Sequence, residues 1–464
     1  MTLIRSISGI RGTIGGRPGE GLTPLDIVRY TTAFAFLLRE KPPVDCRYRV
    51  VVARDARVSG PVCSSLVTGT LISCGIDVID AGMASTPTAE MAVIFEKADG
   101  GIILTASHNP GEWNALKLLG SNGEFISASQ GERLLETAAL EDRFQYAGVE
   151  SLGKVVSKDF GMSHIGAVMS YPLTDAENIY RSGMKVVVDG VNSVGGVIIP
   201  VLLEQMGINC IKINCEPNGL FAHNPEPLVE HLTELSEAVK IHKADLGIAV
   251  DPDVDRLALF CEDGTPFGEE YTLVAAADYV LSRRPGNTVS NLSSTRALRD
   301  ITESSGGRYY ASAVGEVNVV EMMKSVSAVI GGEGNGGVIV PDLHYGRDAL
   351  IGVALILSSL SEKGCKASTL RDSFPRYHIS KKRFELPDIE TSGNILSYLK
   401  EKFRDEKITD IDGVKIEFES ERSWIHIRRS NTEPIIRIYS EAPDREKAGT
   451  LGSDIIRLIR ERIK

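Results

Sequence analysis

Gly100-Gly101-Ile102-Ile103-Leu104-Thr105-Ala106-Ser107-His108-Asn109-Pro110 is the stretch on which the reading of this chain turns. An apolar run of this length, opened by glycines and followed by a polar loop, reads as a buried strand, and Pro110 is expected to stop further pairing. Ser107 then stands at a strand's end with His108 and Asn109 beside it, as an exposed loop serine that adds little to stability. A serine so placed can carry a covalently bound group if other segments supply charge and a metal. The competing reading is a polar turn that caps the segment after Pro110.

Outward from this loop, the chain repeats one architectural unit. Tyr48 to Ala53 is a β-branched run, and Arg54-Asp55-Ala56-Arg57-Val58-Ser59-Gly60 leads into a helical segment to Cys74, followed by Gly75 and a strand over Ile76 to Ile79. Thr23 and Pro24 are a plausible cap and first residue for a helix running to Arg39. Lys185 to Asp189, an apolar helix after Gly195-Gly196, and Ile208 to Ile213 form a second copy of the strand–helix–strand unit. Thr288 to Asn291, Thr295 to Asp300 and Tyr309 to Ala311 form a weaker third. Such units predict parallel α/β layers. The last hundred residues instead alternate over Tyr377 to Pro387 and Asp410 to Ile427 and close on an amphipathic helix, Arg445 to Lys464, as an α+β domain would. The expected organisation is α/β: three similar mixed α/β domains over 1–155, 156–265 and 266–375, with a C-terminal α+β domain over 376–464.

A chain of 464 residues is too long for one core. Its formal charge of -11 argues against a nucleic-acid surface and requires any anionic ligand to find a locally positive pocket. No apolar run reaches membrane-spanning length and no signal pattern opens the chain. The seven cysteines are dispersed, without metal or disulfide spacing, and fit reduced thiols. A cytoplasmic protein without nucleic-acid or membrane partners is expected; oligomeric state is not legible.

Three further segments carry chemistry. Asp251-Pro252-Asp253-Val254-Asp255-Arg256 places carboxylates at alternate positions, which in an extended segment aim the same way. Converging carboxylates repel unless a cation lies between them, and oxygen-only ligands favour a hard divalent ion. The calcium EF-hand fails because Arg256 stands where that loop needs glycine; a solvated acidic turn is the alternative. Gly331-Gly332-Glu333-Gly334-Asn335-Gly336-Gly337 follows an apolar strand and suits hydrogen bonding to sugar hydroxyls better than pyrophosphate, which Glu333 would repel; a flexible turn or a phosphate nest is the alternative. Arg428-Arg429-Ser430-Asn431-Thr432-Glu433-Pro434, with Arg437, fits a phosphate that is held and not transferred, or else a solvated hairpin turn. Near the start, Arg11 lies between Gly9 and Gly12, in a segment that reads either as a ligand approach or as a glycine-rich hairpin.

Taken together, these loops resemble those of the α-D-phosphohexomutase superfamily, and the match runs through essentially the whole chain. The Ser107 loop with Asn114 and Lys117 looks like its phosphoserine loop, the aspartate triplet like its magnesium loop, the Glu333 run like its sugar loop, and Arg428 to Arg437 like its phosphate loop. Ser8 to Gly12 and Phe221 to Pro227 are similar to further family stretches. The resemblance implies four domains around a central active-site cleft, named in order for phosphoserine, metal, sugar and phosphate. It also implies an intramolecular phosphotransferase that interconverts hexose 6-phosphate and hexose 1-phosphate through phosphorylated Ser107 and a bisphosphorylated sugar. Mg2+ would sit on Ser107, Asp251, Asp253 and Asp255, with a hexose 1,6-bisphosphate as activator. Arg11, Glu333, Asn335, Arg428, Ser430, Asn431, Thr432 and Arg437 would bind the hexose phosphate, while Arg256 and Lys117 steady the transferring group. Gly337 and Ala313 stand where well-known members carry a histidine and a lysine, so the proton carrier falls to His108, Lys117 or His344, in that order. The sugar loop is most like that of the phosphoglucosamine mutase-like subgroup. Phosphoglucomutase or phosphomannomutase activity is the alternative, followed by a non-catalytic sugar-phosphate sensor or a metal-dependent phosphatase.

Overall fold

The computed structural model describes residues 2–6, 9–387, 391–429 and 435–463. It divides into two compact units, Met1–Thr272 with Asn335–Leu370, and Leu273–Gly334 with Arg371–Lys464.

The first unit opens on a seven-stranded sheet ordered Leu3–Ser6, Gly9–Thr13, Trp113–Gly120, Gly100–Leu104, Arg49–Arg54, Asp77–Met83 and Val155–Ser157. Period two in the central strands explains why both faces are covered. Val50, Val52, Ile102 and Leu104 pack with the helices Pro24–Leu38 and Gly60–Ser73, whereas Val51, Ala53 and Ile103 pack with Ala89, Ala92 and Val93 of Thr86–Glu96. Thr23 caps the first of these helices in a capping box with Asp26, and Pro24 occupies its first turn.

Two expectations are corrected here. Pro110 does not end pairing: Trp113–Gly120 returns antiparallel to Gly100–Leu104, with Leu104 opposite Leu116, so the proline only bounds a hairpin loop. The boundary expected at 155/156 cuts the strand Val155–Ser157, which pairs parallel with Asp77–Met83.

A second sheet in this unit runs Leu257–Cys261, Leu246–Val250, Lys185–Asp189, Asn209–Ile213; the last three are parallel and Leu257–Cys261 closes the edge as a hairpin. Residues 335–370 cluster here as well. The reason is the helix Ala349–Lys363, apolar almost throughout, which buries Ala349 to Leu360 against the helices Gly161–Met169 and Ala176–Ser182.

In the second unit, Thr288–Asn291 runs parallel between Tyr309–Ser312 and Ile330–Glu333. The C-terminal sheet is antiparallel, ordered His378–Glu385, Ile435–Ala442, Ser423–Arg429, Val414–Phe418, Lys407–Thr409. Its inward isoleucines 416, 425, 427, 436 and 438 pack with Ile395 and Leu399 of Thr391–Lys402 and with Ile455 and Ile459 of Arg445–Ile463. Three mixed α/β domains and a C-terminal α+β domain are therefore present.

Candidate active site

The Ser107 loop is fixed from behind. Ser107 has φ +49, a left-handed conformation that costs a β-carbon residue on the order of 1–3 kcal/mol and persists only where neighbours over-determine it. Those neighbours are visible. The Ser107 N–H donates to Thr105 Oγ1 (3.0 Å), its carbonyl accepts from Arg57 Nη2 (2.5 Å), and its Oγ donates to Asp251 Oδ2 (2.7 Å). Arg57 itself is fully buried and also donates to the carbonyls of Asn109 (2.6 Å), Pro110 (2.6 Å) and Trp113 (3.0 Å). Its Nε pairs with Asp55 at 3.0 Å, and its guanidinium lies over the Phe221 ring at 5.0 Å. The expectation of an exposed serine is corrected: Ser107 is 8% exposed, because this stapling and the aspartate loop enclose it.

The aspartate loop joins Leu246–Val250 to Leu257–Cys261, with Val250 opposite Leu257. It is not extended, as alternation had suggested. Val254 turns through φ +64, and the N–H groups of Asp255 and Arg256 both donate to Asp251 Oδ1 at 3.1 Å, folding the loop around its first carboxylate. Convergence follows from that turn: oxygens of Asp251, Asp253 and Asp255 lie within 4.8 Å of one another, all wholly buried. Burial and the two neighbouring carboxylates push Asp251 well above the usual carboxylate range. Burial would raise Asp253 too, but Lys117 (2.6 Å) and Thr86 Oγ1 (2.6 Å) outweigh it and hold it below that range. Among the described residues, Oδ1 of Asp253 and Oδ1 of Asp255 are buried and accept no hydrogen bond. Buried oxygen donors that accept no hydrogen bond, on clustered like charges, fit a hard divalent cation.

Around this pair of loops the cations are close. Lys117 reaches Asp253 and, at 3.5 Å, Asp255; burial lowers its ammonium, but the two carboxylates raise it above the ordinary lysine range. Arg347, 8% exposed, donates to Asp255 Oδ2 at 2.7 Å. Arg256 extends to Glu226 at 3.3 Å. His108 has Nδ1 3.4 Å from Ser107 Oγ; burial, with Arg256, Arg347 and Arg11 nearby, pushes it down to about 2, so it is neutral. Arg11 lies on Gly9–Thr13, paired with Ala115. His344 is occupied elsewhere, between Glu90 and Asp348.

The glycine-rich run falls at the division between units. Glu333 ends Ile330–Glu333 in the second unit, buried, and accepts from Asn291 Nδ2 (2.8 Å) and the Gly315 N–H (3.1 Å), the latter from the Ala313–Gly315 turn. Asn335 belongs to the first unit and accepts from the Gly337 N–H at 3.2 Å. Gly336 has φ +87, and a β-carbon there would sit 2.3 Å from the Leu257 carbonyl, so only glycine lets this turn lie on the aspartate hairpin. A β-carbon on Gly337 would lie 2.3 Å from Arg347 Cδ: the arginine fills the space that a side chain at 337 would use.

Ser430, Asn431 and Thr432 lie outside the described residues. The strands flanking them place Arg428 opposite Arg437, and Arg437 opposite Arg383, so three guanidinium-bearing residues share one face of adjacent strands. Arg428 reaches Asp412 at 3.6 Å. Like charges aligned across strands are unfavourable without an anion.

Sequence reasoning missed Arg57, Thr86, Arg347 and Arg383. Arg57 carried a signal, since a buried strand followed by Arg-Asp-Ala-Arg demands partners for its charges. The others become legible only through contacts distant in sequence.

The chain matches the phosphoglucomutase/phosphomannomutase family models along its length: the alpha/beta/alpha domains I over residues 3–145, II over 163–264 and III over 268–377, and the C-terminal domain over 384–458. It is 36% identical to a phosphoglucomutase/phosphomannomutase of Thermococcus kodakarensis over 98% of this chain and 99% of that protein. It is 32% identical to a probable phosphoglucosamine mutase of Methanopyrus kandleri over 98% and 97% of the two chains. An X-ray structure of a phosphoglucomutase/phosphomannomutase family protein from Burkholderia thailandensis superposes with a TM-score of 0.84 at 25% identity, covering 100% of this chain and 98% of that one. With every domain matched and the buried aspartate cluster beside the Ser107 loop, the chain belongs to the phosphoglucomutase/phosphomannomutase family, and it is a phosphohexomutase.

Proposed function

We propose that the chain interconverts the 6- and 1-phosphates of glucosamine, with Ser107 as the phosphoryl carrier and the bisphosphorylated sugar as intermediate. The observation that carries the chemistry is Ser107 Oγ, held 2.7 Å from Asp251 in a strained, fully supported loop. The P–Oγ bond of phosphorylated Ser107 breaks as a bond forms to a substrate hydroxyl, whose proton ends on the freed Ser107 Oγ; after the sugar turns round, Ser107 Oγ gives up that proton as it takes back the other phosphoryl group, and the sugar oxygen left behind gains it. Asp251, Asp253 and Asp255 would hold Mg2+, which when bound neutralises charge on the moving phosphoryl. Lys117, Arg256 and Arg347 steady these carboxylates and the transferring group. His108 is the candidate proton carrier by position, its Nδ1 3.4 Å from Ser107 Oγ. Arg428 and Arg437, with Ser430, Asn431 and Thr432, bind the phosphate that stays put, and Arg383 extends that row. Glu333 and Asn335 read the sugar: a buried carboxylate positioned by the Asn291 amide and the Gly315 N–H has the acceptor capacity to take a bond from a sugar hydroxyl or ammonium. We place the protein in the cytoplasm, a reading supported by its dispersed cysteines; among the described residues no helix is long and apolar enough to cross a membrane.

A glucose or mannose phosphate is the second reading, favoured by the 36% identical relative's name. Turnover of glucosamine 6-phosphate, glucose 1-phosphate and mannose 1-phosphate, each with its 1,6-bisphosphate as activator, separates the two. The proposal expects the highest kcat/KM for glucosamine 6-phosphate. A preference for glucose or mannose phosphate would transfer the assignment, release of inorganic phosphate would mark a phosphatase, and binding without turnover would mark a sensor.

A further inference from the structure

Behind the catalytic loops lies a second buried cluster that the mutase reaction does not use. His164 Nε2 and His344 Nε2 both address Asp348 Oδ2, at 2.9 and 3.3 Å, and one donor atom of each residue lies within 4.8 Å of the others. The rings stand nearly perpendicular, 83° apart. Each remaining ring nitrogen has a polar neighbour: His344 Nδ1 lies 3.2 Å from Glu90 Oε2, and His164 Nδ1 meets Thr88 Oγ1 at 3.0 Å. Gly346 makes room for this, since a β-carbon there would lie 1.8 Å from Glu90 Oε2.

Two imidazole Nε2 atoms and one carboxylate oxygen converging, with the outer Nδ1 atoms oriented by a carboxylate and a hydroxyl, is the arrangement of a histidine-rich transition-metal site with its supporting shell. Bonds of about 2.0–2.1 Å in tetrahedral geometry put donor atoms roughly 3.3 Å apart, so the 3.3 Å separation fits and the 2.9 Å one opens by a few tenths. Nitrogen donors exclude magnesium and calcium in favour of a borderline ion. We propose that His164, His344 and Asp348 form a second metal site, specific for Zn2+-class ions and structural in role, distinct from the aspartate triplet.

Its placement gives it a consequence. Two short segments link it to the catalytic metal loop: Thr86 to Glu90 bonds Asp253 at one end and His164 and His344 at the other, and Arg347 pairs with Asp255 while Asp348 joins the cluster. Asp348 also caps Ala349–Lys363 through the Leu350 N–H at 2.8 Å.

The test is metal content and spectroscopy on the full chain, untagged and stripped with chelator, then titrated with Zn2+ and Co2+. Expected are about one Zn2+ per chain, a visible Co2+ spectrum of tetrahedral intensity, and a raised melting temperature with Zn2+. These should survive Asp253→Asn, vanish in His164→Gln, and weaken 10–100-fold in affinity in Thr88→Val, which leaves all three ligands in place. Stripped wild-type protein whose melting is unmoved by Zn2+, or Co2+ binding lost in Asp253→Asn but kept in His164→Gln, would overturn the proposal and leave a proton-held ion-pair cluster. None of these readouts depends on mutase turnover or on which sugar the enzyme takes.

Discussion

Replacing Arg57 with methionine removes the buried side chain that donates to the Ser107, Asn109, Pro110 and Trp113 carbonyls. Methionine is similar in length, so the change is mainly electrostatic. Asp55, wholly buried, keeps its bonds from Thr105 Oγ1 (2.6 Å) and the residue-57 N–H (2.9 Å) but loses its countercharge. Burial already raises the Asp55 carboxyl and Arg57 opposes that rise, so without the guanidinium it moves further up. Stranding one partner of a buried ion pair costs about 3–5 kcal/mol. The carbonyls of Ser107, Asn109, Pro110 and Trp113 lose a charged donor together, at about 1–3 kcal/mol for each left dry; loop movement toward water recovers much of this. A net loss of about 4 kcal/mol is a large fraction of the 5–15 kcal/mol typical of a domain and lowers the melting temperature by roughly 8–16 °C. Arg57→Lys retains charge but not the fork, and should fall between. The assay is thermal unfolding beside phosphoryl incorporation at Ser107. If Arg57→Met melts within about 2 °C of wild type and Ser107 is phosphorylated normally, the stapling argument is wrong.

Three further outcomes are expected. Ser107→Gly relieves the left-handed strain of about 1 kcal/mol while losing the Asp251 bond, so stability measured in urea should change by less than about 1 kcal/mol while mutase turnover disappears. Gly337→Ala forces Arg347 from its place 2.7 Å from Asp255, and should cost about 1–3 kcal/mol and raise the Mg2+ concentration needed for half-maximal turnover; an unchanged Mg2+ requirement would count against the contact. His426 is buried as the neutral ring between the Asp412 carbonyl (2.6 Å) and Ser293 Oγ (2.9 Å), and burial, aided by Lys415, pushes it down to about 4. Its folded value lies below its unfolded one, so the unfolded chain binds the extra proton. Stability is therefore complete above pH 6.5 and falls by about 2–3 kcal/mol as pH drops toward 4, a slope that His426→Asn should flatten in urea titrations.

The α/β layers were legible because they are written in short-range pattern: β-branched runs, glycine at strand ends, and Thr23-Pro24 at a helix start. What escaped depends on contacts between distant residues. Trp113 to Gly120 follows Pro110 closely, and no local signal distinguishes a chain that leaves the sheet from one that turns back into it. The aspartates were recognised for the right outcome by the wrong geometry, since alternation suggested an extended strand where two N–H groups wrap a turn around Asp251. Ser107 looked exposed because its cover comes from Asp251 and Arg57, 144 and 50 positions away. Arg347 was invisible for the same reason, although the glycine at 337 that admits it had been noticed as a missing side chain.

The central claim is that Ser107 carries the phosphoryl group. Incubating wild type and Ser107→Ala with a hexose 1,6-bisphosphate labelled in its phosphates, then mapping the label by peptide mass spectrometry, tests it directly. The account predicts label on Ser107 in wild type, chased onto sugar by unlabelled hexose phosphate, and neither label nor mutase turnover in Ser107→Ala. Label at another residue, or turnover by Ser107→Ala at the wild-type rate, would contradict it.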